Sequence, residues 1–145
     1  MNVEAILAAK GRAVGTIRPE ATVAEALQRM RAERIGALVV SEDGERIAGI
    51  VSDRGIMWAI ADRGVGVLDE PVTSVMTREV LTCTRHDQVS AIMALMTDRR
   101  IRHVPVVEAD GRLGGIVSIG DVVKHRLDEI ELEVEAMRDY VTRAR

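Results

Sequence analysis

The sequence predicts an α/β (α+β) fold built from two copies of one small unit, and three observations carry that prediction. Gly49-Ile50-Val51-Ser52 recurs as Gly115-Ile116-Val117-Ser118, 66 positions later. A fixed internal period marks a repeated structural unit. The same offset, with no gap, aligns Val14 with Val80, Thr16 with Thr82, Val23 with Val89, Met30 with Met96, Arg34-Ile35 with Arg100-Ile101 and Val40 with Val106. Within each copy a helix-spaced stripe is followed by β-rich runs around Asp43-Gly44 or Asp110-Gly111. Asp-Gly between such runs is a strong turn signal.

Each copy opens on a short extended piece, Gly15 to Ile17 and Val80 to Cys83. A helix follows. In the first copy Thr22-Val23-Ala24-Glu25 fits a capping box, with Thr22 as N-cap and Glu25 reaching back. Val23, Ala26, Leu27 and Met30 fall on one helical face. In the second copy Asp87 is the expected cap, and Val89, Ile92, Met93 and Met96 repeat the stripe. Two strands come next: Ala37 to Val40 and Arg46 to Ser52, then His103 to Val107 and Arg112 to Ser118. A second helix starts after the Ser of each copy. The order is strand, helix, strand, strand, helix, twice, with about three short strands per copy. One copy is too small to bury its apolar face, so the copies are expected to pack together. The expected boundaries are an N-terminal helical lead over 1–12, repeat 1 with its linker over 13–78, repeat 2 over 79–126, and an amphipathic C-terminal helix over 127–145.

Composition excludes several classes. At 145 residues the chain is too short for an eight-unit barrel enzyme, which needs roughly 250. Cys83 is the only cysteine, which rules out a disulfide scaffold. One Cys and three His also argue against a structural zinc site, and no metal is expected. Apolar runs such as Ala37 to Val40 fall far short of the ~20 residues that span a bilayer. No secretory signal is visible, and a cytoplasmic protein is expected, without a membrane partner. Phe is absent, and Trp58 and Tyr140 are the other aromatics. That leaves no stacking platform for single-stranded nucleic acid, and a net charge of −3 gives no general attraction for phosphate backbones. No nucleic-acid partner is expected.

The strand-to-helix junctions carry the candidate chemistry. Helix N-termini present free N–H groups and partial positive charge, which suits phosphate. In repeat 2 the junction reads Gly115-Ile116-Val117-Ser118-Ile119-Gly120-Asp121. Ser118 offers a hydroxyl, Gly120 leaves space, and Asp121 is an acceptor-only carboxylate suited to the cis-diol of a ribose. The competing reading is that Ser118 and Asp121 simply cap a helix. Arg99, Arg100, Arg102 and His103 cluster where the middle strand of repeat 2 begins, against Glu33, Arg34, Gly36 and Ala37 in repeat 1. Charge has been placed on one copy, and Arg102 with His103 can bind phosphate oxygens; the competing reading is a solvated basic rim, with His103 a packed strand residue.

On these residues the chain resembles a tandem cystathionine β-synthase (CBS) domain pair, or Bateman module, over about Lys10 to Arg126. Gly115 to Asp121 fits the nucleotide signature Gly-hydrophobic-hydrophobic-Ser/Thr-x-x-Asp. Arg102-His103-Val104-Pro105-Val106 resembles the phosphate-facing strand, and Val75-Met76-Thr77 the lead-in to a second copy. The resemblance implies two CBS repeats packed as a pseudo-twofold pair, each a short sheet with two helices, plus the long C-terminal helix. It also implies an adenosine ligand between the copies: AMP first, with ADP, ATP or NAD(H) as alternatives. Asp121 would then hold the ribose, Ser118 a phosphate or ribose oxygen, and Arg102 and His103 the phosphates. Thr82 and its apolar neighbours, Val80 among them, would meet adenine; Ile116 and Gly120 complete the expected site. Repeat 1 departs from the pattern: Gly55 stands where the ribose acid belongs, and Asp53 is about 200° away round a helix. Ser52, Arg54 and Thr16 are the candidates for a weakened second site.

In the tail Val123, Leu127, Ile130, Val134, Met137 and Val141 step by three and four, opposite a mainly acidic face. This is an amphipathic helix with three candidate occupants, its own domain, a twin or an effector; the resemblance to a CBS pair implies a homodimer and so favours the twin. The functional expectation is a non-catalytic adenine-nucleotide sensor acting on an unknown regulated protein, with no catalytic residues or cofactor. Cys83 reads as a packing residue, the counterpart of Ile17. The alternative is a scaffold with vestigial nucleotide sites, favoured by Gly55.

Overall fold

The computed structural model describes residues 1–144. Helix α1 (Val3–Lys10) precedes repeat 1, which runs through β1 (Thr16–Ile17), α2 (Val23–Glu33), β2 (Ala37–Val40), β3 (Gly49–Ser52) and α3 (Asp53–Arg63). Two 3₁₀ turns, Val65–Asp69 and Val72–Ser74, link it to repeat 2: α4 (Val89–Arg99), β4 (His103–Val107), β5 (Leu113–Ser118) and α5 (Ile119–Arg143). In repeat 1, β1 lies parallel to β2, which pairs antiparallel with β3, Leu38 opposite Val51. In repeat 2, β4 and β5 pair antiparallel, Val104 opposite Val117. Among the described residues no helix is long and apolar enough to cross a membrane.

The repeat is written into the cores. One cluster gathers Ile17, Val23, Ala26, Met30, Leu38, Val40, Val51 and Ile56; the other gathers Cys83, Val89, Ile92, Met96, Val104, Val106, Val117 and Val122. Each member of the second stands 66 positions after its counterpart in the first. The stripes of α2 and α4 therefore bury the same positions against the same sheet face. Ala37 and Val39 are buried on the opposite face of β2 as well, which is why that strand reads as an unbroken apolar run.

Three expectations need correcting. The opening piece of repeat 2 is a single parallel bridge, Cys83 to Val106, rather than a third strand. In repeat 1 the Val39 N–H bonds the Gly15 carbonyl. Its counterpart is Pro105, which has no N–H to offer, so the ladder loses that bond. The first arm of the other hairpin partner is also shorter than expected: β3 begins at Gly49, because Asp43 Oδ1 accepts from the N–H groups of Glu45 and Arg46 and holds that stretch as a turn. Finally, Asp87 does not cap α4. Its carboxylate accepts from the Thr84 N–H, and Gln88 occupies the N-cap position without a side-chain bond. The Thr22–Glu25 capping box forms as expected.

The segments before each repeat are exchanged. Helix α1, which leads into repeat 1, packs in the core of repeat 2 through Val3, Ile6 and Leu7. The linker leading into repeat 2 packs on repeat 1 through Val72, with Leu68, Val75 and Met76 beside it. Matching backbone bonds fix both: Val23 N–H to the Glu70 carbonyl, and Val89 N–H to the Met1 carbonyl. The repeated glycines make room for these visitors. A Cβ at Gly49 would lie 2.6 Å from Met76 Sδ and 2.9 Å from the Thr77 carbonyl oxygen; one at Gly115 would lie 2.7 Å from Leu7 Cδ2.

Candidate functional site

Between the repeats lies a cleft of about 280 Å³. Repeat 1 supplies Ile50, Ser52 and Arg54, from β3 and the start of α3. The linker crosses it with Thr77, Glu79, Val80 and Leu81. Repeat 2 supplies Arg99, Arg100, Ile101, Arg102 and His103. The last group is concentrated because α4 ends abruptly. Arg100 takes the left-handed conformation, φ 53°, and the N–H groups of Arg100 and Ile101 both bond the Met96 carbonyl. The chain then turns directly into β4. Glycine is the usual residue at such a terminus, and a side chain there costs roughly 1 kcal/mol. Arg34, φ 55°, ends α2 in the same way.

The cleft is electropositive. Arg54, Arg99 and Arg100 have no ion-pair partner among the described residues, whereas Arg102 reaches across to repeat 1, its Nη2 2.6 Å from Asp53 Oδ1. His103 is half-buried. Burial pushes its pKa below the ordinary 6.5, helped by Arg102 and Lys10 and opposed by Asp53 and Asp121, so the ring is neutral at pH 7. At the start of α3, the Ser52 hydroxyl accepts from the Gly55 N–H at 3.0 Å.

The residues expected to act together are divided between two places. Val80, Arg102 and His103 line this cleft, alongside Ser52 and Arg54 from the set expected for repeat 1. Asp121, Ser118, Ile116 and Gly120 do not line it. Asp121 and Ser118 form a capping box on α5: the Ser118 N–H donates to Asp121 Oδ2 at 2.9 Å and Ser118 Oγ accepts from the Asp121 N–H at 3.2 Å. Lys10 completes that side, its Nζ 2.6 Å from Asp121 Oδ2 and 3.0 Å from the Ile116 carbonyl oxygen. Burial raises the Asp121 pKa, but the Lys10 ammonium and the Ser118 bonds outweigh it and hold the carboxyl below the ordinary 3.8. A Cβ at Gly120 would lie 3.7 Å from Ser118 Oγ, an ordinary contact. Thr82 lies on a separate shallow groove beside Arg46, Arg78 and Val107. The Thr16 carbonyl oxygen is taken by Arg29 Nη1 at 2.5 Å. His103 lies between the two places, near enough to feel both acids.

Gly36 explains part of the division. A Cβ there would lie 3.1 Å from His103 Cε1 and 3.3 Å from Asp53 Oδ2, so its bareness lets the basic strand of repeat 2 approach the first turn of α3. Two contributors escaped the sequence reading. Leu81 and the linker line the cleft because the chain crosses between repeats there. Lys10 meets an acid 111 positions away, a distance no spacing rule spans. Cys83 is buried and its thiol is pushed up to about 12 by burial and by Asp87, which leaves it an unreactive packing residue.

Comparisons with known proteins bear on the fold. The family model described as CBS domain matches residues 11–62 and again 72–128. A crystal structure of a CBS-domain-containing protein from Agrobacterium tumefaciens is 42% identical, with a TM-score of 0.83 over 87% of this chain and 99% of that one. A mitochondrial CBS domain-containing protein of Arabidopsis thaliana is 38% identical over 83% of this chain, which spans 60% of that protein's length. A CBS domain protein from Pyrobaculum aerophilum, complexed with AMP, is 29% identical, with a TM-score of 0.77 over 92% of this chain and 99% of that one.

Proposed function

The chain belongs to the CBS domain family, and on that premise we propose that it is a non-catalytic regulatory module that binds an adenine nucleotide between its repeats, AMP first. The observation that carries this reading is the cleft where Arg54, Arg99 and Arg100, free of acidic partners, face one another across the repeat boundary with Arg102 and His103. Clustered guanidinium groups are suited to the planar, bidentate recognition of phosphate. The apolar side chains of Ile50, Val80, Leu81 and Ile101 supply a surface for a base in a chain without Phe. A volume of about 280 Å³ lies just below the range of ligand sites, roughly 300–1,000 Å³, and suits a mononucleotide better than a dinucleotide. The AMP complex of the Pyrobaculum relative supports the choice of ligand.

Regulation follows from what the phosphate displaces. Asp53 holds Arg102 across the boundary. A phosphate that takes over Arg102 releases Asp53 and changes how the repeats hold each other, and a ligand shifts such an equilibrium by its differential affinity for the two arrangements.

A second reading places the ribose on Asp121, with Ser118 beside it and Ile116 and Gly120 as its floor. The motif that contains these residues favours it. It requires Lys10 to leave the carboxylate and turn toward a phosphate.

Calorimetric titration with AMP, ATP and NADH tests the proposal. Saturable binding of AMP, weakened roughly ten- to a hundredfold by Arg102→Ala, is the expected result. Absence of heat and of any thermal shift with all three ends the nucleotide reading and leaves an interaction scaffold. The neutral His103 adds a signature: phosphate favours its protonated form, so AMP binding is expected to take up protons and tighten from pH 8 to pH 6. His103→Gln should abolish that uptake and leave the opposing proton release that arises because the guanidinium groups favour the phosphate dianion.

A further inference from the structure

Helix α5 outruns the domain it starts on. Val122 is buried, and His125 and Glu129 are half-buried on the side turned to the repeats, but every residue from Ile130 to Ala144 is exposed. A second face, turned away, carries Val123, Leu127, Ile130, Val134, Met137 and Val141, each 40–70% exposed. Their spacing alternates four and three without a break, which is a heptad repeat with Leu127, Val134 and Val141 at a and Val123, Ile130 and Met137 at d. A projecting helix of this length is marginal in water without a partner for its apolar face.

The charges flanking this seam say what the partner is. Arg126 and Glu133 occupy g positions; Glu131 and Arg138 occupy the e positions five residues further on. In a parallel, in-register pair of identical helices, g faces e of the following heptad on the other chain. Arg126 then meets the partner's Glu131, and Glu133 meets the partner's Arg138. Both contacts are attractive, and symmetry doubles each. In an antiparallel pair with full overlap, Glu133 faces the partner's Glu133 and Glu131 the partner's Glu131, both repulsive. Glu131, Glu133 and Arg138 have no ion-pair partner among the described residues, and Arg126 pairs only with Glu129 one turn along, 2.7 Å away.

We infer that α5 forms a parallel, in-register coiled coil with a second copy of this chain. This does not rest on the nucleotide reading and requires no ligand. Sedimentation equilibrium of the full chain tests it, with circular dichroism confirming that the repeats of every variant stay folded. The expected result is a dimer that becomes monomeric in Ile130→Glu with Val134→Glu. Glu133→Arg should weaken the dimer roughly tenfold, and Glu133→Arg combined with Arg138→Glu should restore it. Val134→Cys should cross-link copies on mild oxidation, since position 134 faces its own twin only in this register, and the buried Cys83 does not compete. A monomeric chain, a dimer indifferent to the glutamates, failure of the charge swap to rescue, or absence of the 134–134 cross-link would each overturn the inference.

Discussion

Across the pseudo-twofold axis, repeat 2 places Arg102 and His103 where repeat 1 has Gly36 and Ala37, and repeat 1 places Gly55 where repeat 2 has Asp121. Both divergences fall at element ends, the start of the middle strand and the first turn of the helix after the hairpin, while the two core clusters stay in register. Because the end of one repeat faces the start of the other, the basic strand of repeat 2 lies against α3 of repeat 1, and the acid of repeat 2 lies against α1 and Lys10. Duplication thus gave two equivalent frames, and divergence put the cations in one and the carboxylate in the other. A repeat's motif need not serve the cleft nearest to it in sequence.

Ligand binding offers the sharpest way to break this comparison. If the cation-rich cleft takes the nucleotide, Arg102→Ala should weaken AMP roughly ten- to a hundredfold, the worth of a charge-assisted hydrogen bond, while Asp121→Ala should move the calorimetric affinity by less than about twofold. The opposite pattern transfers the nucleotide to the Lys10–Asp121 side.

Stability should separate the glycines next. At Gly49 a new methyl meets the Thr77 backbone oxygen; at Gly115 it meets the end of the Leu7 side chain, which can move. Gly49→Ala should cost about 2–3 kcal/mol and Gly115→Ala about 1 kcal/mol, read from urea melts. Equal losses would mean that α1 is as rigidly seated as the linker.

A smaller contrast lies in the helix caps. Thr22→Ala should cost about 1 kcal/mol, and Gln88→Thr should recover up to about 1 kcal/mol by giving α4 the cap that α2 already has. No gain from Gln88→Thr would show that the Thr84–Asp87 turn fixes this entry.

The smallest effect concerns pH. The folded Asp121 pKa is depressed, so its contribution to stability is present above the ordinary value of 3.8 and is lost as the pH falls through the lower folded value. Removing Lys10 by Lys10→Met should flatten that part of the acid profile. At neutral pH it should cost less than about 1 kcal/mol, because the pair is partly exposed.

The fold was largely legible because burial obeys periodicity. The 66-residue offset located paired core positions, and Thr22–Glu25 announced its own helix start. The exchange of α1 and the linker was less visible, although a signal existed: Ile6 stands 66 positions before Val72, and both are core residues. The missing third strand of repeat 2 was also written at Pro105. The division of the site was not legible. Arg102 and Asp121 belong to one motif region in sequence, and only the packing of two units against each other decides which residues meet.

The exchanged segments also set an order of events at the ribosome. Val3, Ile6 and Leu7 emerge well ahead of the partners that complete their seat, Leu7 110 positions before Val117. Until then the leading helix has an apolar side and nowhere native to put it. Closing so long a loop is slow relative to local folding, so the nascent protein carries that helix as an unfinished commitment until repeat 2 has been made.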